Sequence, residues 1–102
     1  MKELPGWIDR EAYPYTPHEF SVPAGTMRYL DEGSGPPIVI VHGNPYWSFE
    51  YRSLIRRFSA SHRCIAPDHI GFGLSDKPEL TQWSYLPEAH AENFEQLLDS
   101  LD

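Results

Sequence analysis

Four consecutive β-branched residues, Ile38-Val39-Ile40-Val41, constrain this chain more than any other stretch. Such a run is apolar on both sides of a strand, so it asks for cover on both faces, and that arrangement occurs mainly in parallel sheets flanked by helices. Shortly after it the period changes. Trp47, Tyr51, Leu54, Ile55 and Phe58 recur at i, i+4, i+7, i+8 and i+11, one face of a helix expected over Trp47 to Ala60. Ser48 is placed to cap that helix, Glu50 lies in its first turn, and Arg56 and Arg57 lie in its last, the signs the helix dipole prefers.

The flanking segments fit the same plan. His18 to Val22 and Thr26 to Asp31 alternate, and the short Pro23-Ala24-Gly25 link between them predicts a hairpin. Arg63 to Ala66 reads as another short strand, ended by Pro67 and Asp68. A glycine-punctuated loop follows, Ile70-Gly71-Phe72-Gly73-Leu74-Ser75, and then a helix over Glu88 to Leu101 with His90, Phe94, Leu97, Leu98 and Leu101 on one face. Hairpin, strand, helix, strand, loop, helix is an α/β order that implies a mostly parallel sheet with right-handed crossovers. Residues 1–17 carry Pro5, Pro14 and Pro17 among Trp7, Tyr13 and Tyr15, and predict an irregular arm lying on a core formed by residues 18–102.

The 102 residues suffice for one domain, and 40% apolar with 14% aromatic content can build a core. Formal charge is −7, from 15 acids against 8 Lys and Arg, with no basic stripe, so nucleic acid is not an expected partner. Cys64 is the only cysteine, which excludes an intrachain disulfide. No signal-peptide pattern or membrane-length apolar run is visible, and a cytoplasmic protein with no membrane partner is the expectation.

Two motifs carry the chemistry. His42-Gly43-Asn44-Pro45 follows the buried strand directly, where open α/β sheets place their sites. Backbone N–H groups at such a turn can face a developing oxyanion, and Gly43 is expected to keep a side chain out of the tight turn. The second motif, Pro67-Asp68-His69-Ile70-Gly71-Phe72-Gly73-Leu74-Ser75-Asp76, follows the next strand.

Together the two motifs resemble the α/β-hydrolase superfamily. HGNPYWSFEYR, His42 to Arg52, and SHRCIAPDHIGFGLSDKP, Ser61 to Pro78, resemble haloalkane dehalogenases in particular, and the likeness runs from about Thr26 to Asp102. The resemblance implies the N-terminal part of an α/β-hydrolase fold, with the nucleophile turn, catalytic histidine, its acidic partner and helical cap lying beyond Asp102. It implies carbon–halogen cleavage through a covalent aspartyl ester, with a haloalkane as substrate, halide as product, and no cofactor or metal. Asn44 is then the catalytic residue in this chain, its backbone N–H serving the oxyanion hole and its uncharged side-chain amide donating to the leaving halide, with Pro45 beside it as a substrate-binding residue. A missing C-terminal half is the implied partner, and the 102-residue chain alone is expected to be inactive.

Plainer readings stand beside these. Ser75 lies in Gly73-Leu74-Ser75-Asp76-Lys77, which lacks the second glycine of a nucleophile elbow, so a loop-capping hydroxyl is expected. Asp68 is expected to hold N–H groups of the glycine loop, His42 to make structural hydrogen bonds, and Trp47 to join the core. His18, His62, His69 and His90 show no metal-ligand spacing. Without a further strand, the Ile38–Val41 run would be an open edge able to template pairing. Two rival functions follow: an epoxide hydrolase or serine esterase of the same fold, and a non-catalytic chain acting by strand pairing with a partner.

Overall fold

The β-branched run forms the exposed edge of a four-stranded sheet in the computed structural model, which describes residues 4–43 and 46–101. Strands β1 (His18–Val22) and β2 (Gly25–Glu32) form the antiparallel hairpin, with Phe20 opposite Met27. Strand β3 spans Pro37–Val39 and pairs in parallel with β4, Arg63–Asp68, setting Ile38 opposite Cys64. Ile40 continues that pairing through its N–H, which donates to the Ile65 carbonyl at 2.8 Å. Because β4 also pairs antiparallel with β2, the order across the sheet is β1-β2-β4-β3. Arg63 ties β4 to β2 a second time, giving Asp31 a two-pronged contact at 2.8 and 2.6 Å.

Strand β4 runs two residues past its expected end and includes Pro67. The ladder explains why a proline is tolerated there. Ile65 turns its backbone toward β3, and Pro67, two residues on, turns the same way beyond the last β3 pair. Its missing N–H therefore costs no ladder bond.

The helix expected over Trp47 to Ala60 is shorter and in two parts: a 3-10 turn at Ser48–Tyr51, then α1 at Arg52–Phe58. Trp47 precedes it in extended geometry, and Ser48 does not cap it with its side chain. The Ser48 hydroxyl meets Tyr13 instead, while its backbone N–H donates to Asp68 from another element. Two turns of α-helix set one residue, Ile55, fully into the core and leave Leu54 39% exposed. Helix α2 spans Pro87–Leu101, starting one residue earlier than expected, and buries Asn93 and Leu97.

Both faces of the sheet are covered. Leu30, Ile40, Ile55, Cys64 and Ala66 pack on one side together with Ile8, Tyr13 and Tyr15 of the N-terminal segment. Val22, Met27, Ile70 and Leu97 pack on the other. Each fully buried Leu, Ile or Met contributes about 1.5–3 kcal/mol, so the two clusters are the main source of stability. The prolines keep the first residues irregular, yet Tyr13 is completely buried, and Tyr15 anchors the segment by donating its hydroxyl to the Arg52 carbonyl at 2.9 Å.

The cover is incomplete at β3. Val39 and Val41, expected inside, are 40% and 48% exposed, since the strand has a neighbour on one side only. Among the described residues no helix is long and apolar enough to cross a membrane.

Candidate functional site

The chain emerging from β3 and the chain emerging from β4 meet at the carboxyl ends of the parallel pair, and His42 joins them. Its Nε2 accepts the backbone N–H of His69 at 2.9 Å. A ring nitrogen that accepts carries no proton, so the proton lies on Nδ1, which donates to the Gly43 carbonyl at 2.9 Å. Both nitrogens are thus committed to backbone, which is the structural role expected of His42.

Asp68 performs the matching task one residue earlier. It is 1% exposed, and its carboxylate receives the Ser48 N–H at 2.7 Å on one oxygen and the Leu74 N–H at 3.0 Å on the other. Burial raises its pKa, and those two N–H bonds pull against the shift. Ser75 completes the loop: its hydroxyl donates to the Asp68 carbonyl at 2.6 Å and accepts the Arg28 N–H at 2.7 Å. Ser75 is a loop tie, as its sequence context indicates. Gly73 has φ +51°, and a Cβ there would lie 2.5 Å from the Asp68 carboxylate, so only glycine lets the loop close on that anion.

Asn44 and Pro45 lie outside the described residues. Their neighbours are held together by the Tyr46 N–H, which donates to the Gly43 carbonyl at 2.7 Å. The expected need for glycine at 43 is not met by packing: a Cβ built there would touch nothing within 4 Å, and Gly43 is absent from the positive-φ residues. The space around it is open.

That space is a cavity of about 570 Å³. Val41, His42 and Gly43 line it from the segment after β3, His69 and Phe72 from the segment after β4, and Tyr85, His90 and Phe94 from the α2 side. Three imidazoles converge here that sequence spacing left unrelated: the rings of His42 and His69 lie 4.4 Å apart, and those of His69 and His90 lie 5.2 Å apart. Burial pushes His69 down to about 4, reinforced by the neighbouring imidazoles, and lowers His90 as well. Among the described residues no group of three or more His, Cys, Asp or Glu could hold a metal ion. Burial thus disfavours charge on His69 and His90, and the rest of the described wall is largely aromatic and aliphatic.

Two further features were not legible beforehand. Tyr85 adopts φ 60°, a left-handed conformation that costs an aromatic residue about 1–3 kcal/mol. Its hydroxyl donates to the Pro78 carbonyl at 2.5 Å, and its ring occupies the place where a Cβ on Gly71 would stand. On α2, His90 Nδ1 and Asn93 Nδ2 are buried without a hydrogen-bond partner among the described residues. Two polar groups on an otherwise apolar helical face were the available signal. Trp47 takes no part in this cavity; it packs against Tyr13 and Phe49, at 5.5 Å from each ring.

Comparison with known proteins agrees with this geometry. The sequence pattern of the alpha/beta hydrolase fold family matches residues 36–102. The chain is 46% identical over 89 residues to a cis-3-alkyl-4-alkyloxetan-2-one decarboxylase of Shewanella oneidensis, covering 87% of this chain and 28% of that protein. It is 42% identical over 93 residues to haloalkane dehalogenase 2 of Mycobacterium tuberculosis, covering 91% and 32%. A loop variant of a haloalkane dehalogenase from Bradyrhizobium elkanii superimposes with a TM-score of 0.76 at 34% identity, over 84% of this chain and 28% of that one. The chain thus spans less than a third of the length of each. Its sheet order, its two strand-end loops and these likenesses have one reading in common: the chain belongs to the α/β-hydrolase fold family, on the haloalkane dehalogenase-like side of it.

Proposed function

We propose that the loop after β3 serves a hydrolase that cleaves carbon–halogen bonds through a covalent aspartyl ester, with the nucleophile supplied by sequence outside these residues. The observation that carries this reading is the apolar, aromatic cavity at the carboxyl ends of β3 and β4, bordered by His42 and Gly43 immediately before Asn44. Asn44 is the proposed donor to the halide and, through its N–H, to the ester oxyanion; Pro45 borders the substrate. An uncharged amide suits both tasks, because it donates without repelling an anion. Likeness to the Mycobacterium tuberculosis dehalogenase supports the substrate class.

A chimera tests it: this chain replaces the matching segment of that dehalogenase, and halide release from 1-bromobutane is followed. Release that falls by about 10²–10³-fold on Asn44→Ala fits the loss of one oxyanion donor. Release unaffected by Asn44→Ala would remove Asn44 from the mechanism. The 102-residue chain alone should release none.

The Shewanella oneidensis relative favours a second reading, loss of CO2 from an alkyl-substituted oxetanone in the same cavity. A chimera built on that protein and assayed for CO2 separates the two. The open β3 edge favours a third role, strand pairing with another chain.

A further inference from the structure

A second cavity, of about 270 Å³, lies between the N-terminal segment and the start of the 3-10 turn and shares no lining residue with the first. Trp7, Ile8, Asp9, Trp47 and Phe49 line it. Trp7 stands edge-on to Trp47, with ring centroids 5.9 Å apart at 71°, while Trp47 stacks on Phe49 at 5.5 Å. Trp7 is 67% exposed, an unusual placement for the largest apolar side chain when Tyr13 of the same segment is fully buried. Two indoles set near a right angle form two walls of a box. The remaining feature is charge: the Asp9 carboxylate is the one charged group in the lining. Its Oδ1 is fixed by the N–H groups of Glu11, at 3.0 Å, and Ala12, at 3.4 Å.

From this we infer a binding site for a small molecule carrying a quaternary ammonium group. A methylated cation sheds water readily and is drawn to the faces of indole rings, and a nearby carboxylate adds to that attraction. The ring cluster already accepts a cation in this way, since the Arg52 guanidinium sits 4.1 Å over the Phe49 ring. That arginine is tied to the Phe49 carbonyl at 2.9 Å and does not line the cavity. A trimethylammonium head fits the volume, and the chain's charge of −7 favours a cationic ligand.

Choline and its neutral carbon isostere, 3,3-dimethylbutan-1-ol, are titrated separately into the folded chain, with tryptophan fluorescence and calorimetry as readouts. Choline should saturate at a Kd on the order of millimolar, with the alcohol weaker by roughly tenfold. Asp9→Asn should weaken choline by roughly threefold or more and leave the alcohol unchanged. Trp7→Leu, at an exposed position, should keep the circular dichroism spectrum and abolish choline binding. Equal binding of choline and the alcohol, or no saturation by choline, would overturn the proposal, and that comparison requires no variant.

Discussion

The hydroxyl of Tyr13 lies 2.8 Å from that of Ser48, thirty-five residues along the chain, and both are buried. Burial drives the Tyr13 pKa up, so the phenol keeps its proton and this bond across the physiological range. Tyr13→Phe leaves the Ser48 hydroxyl without that partner and should cost about 1–2 kcal/mol. Ser48→Ala should cost a similar amount, and the double variant less than the sum. Urea unfolding of the four proteins measures this; strict additivity would mean that the two hydroxyls do not interact.

Asp68→Asn tests the anion at the centre of the two loops. The carboxylate offers an acceptor to each of two N–H groups, whereas an amide offers one oxygen and sets its NH2 against the other donor. A loss of about 1–3 kcal/mol is expected, despite the removal of a buried charge. Amide exchange at Ser48 and Leu74 should accelerate in the variant. A neutral or stabilising result would show that desolvation of the carboxylate outweighs its two bonds.

The imidazole cluster predicts sensitivity to acid. His69 has a folded value of about 4 against roughly 6.5 in an unfolded chain. Between those values the unfolded state binds more protons, so the contribution is complete above pH 6.5 and is lost as pH falls toward 4. Because His69 is only partly buried and screened by solvent, the loss amounts to about 1–2 kcal/mol. His90 is shifted the same way and adds to it. His69→Phe keeps a ring between His42 and His90 and should flatten the dependence of the urea midpoint on pH between 6.5 and 4.5. Parallel curves for parent and variant would assign the acid sensitivity elsewhere.

At the sheet edge, Ile40 directs its N–H to β4, so the backbone N–H and C=O groups of Val39 and Val41 on alternate positions point to the open side, and both residues are 40% or more exposed. An apolar edge of that kind is expected to self-associate at micromolar concentration. Val39→Lys adds a charge without touching either core cluster and should lower the sedimenting mass toward that of a monomer. Identical sedimentation of parent and variant would exclude this edge as the contact.

Sequence reading succeeds where side-chain period and backbone geometry coincide. The hairpin is recovered to within a residue at each strand because a ribbon that alternates faces shows its period directly. Helix α2 is recovered for the same reason, its face repeating over several turns. The segment from Trp47 fails as a continuous helix because periodicity reports which residues face the core, while the form of its first turn is set by Asp68, twenty residues away in sequence. Distance in sequence also hid the convergence of His42, His69 and His90, which depends on the parallel pairing of β3 and β4. The roles of Asn44 and Pro45 rest on resemblance, and both residues lie outside those described.

The burial of Ile8, Tyr13 and Tyr15 sets a rule for anyone recombining this sheet with other sequences. A crossover point drawn at His18, where the first strand begins, would look conservative on a secondary-structure map and would still remove these three side chains and the buried Pro17 with them. The resulting hollow would open onto Leu30, Ile40 and Ile55 and invite water into the layer that supports the loop after β3. A safe junction lies ahead of Ile8, and a library that respects it inherits an intact interior.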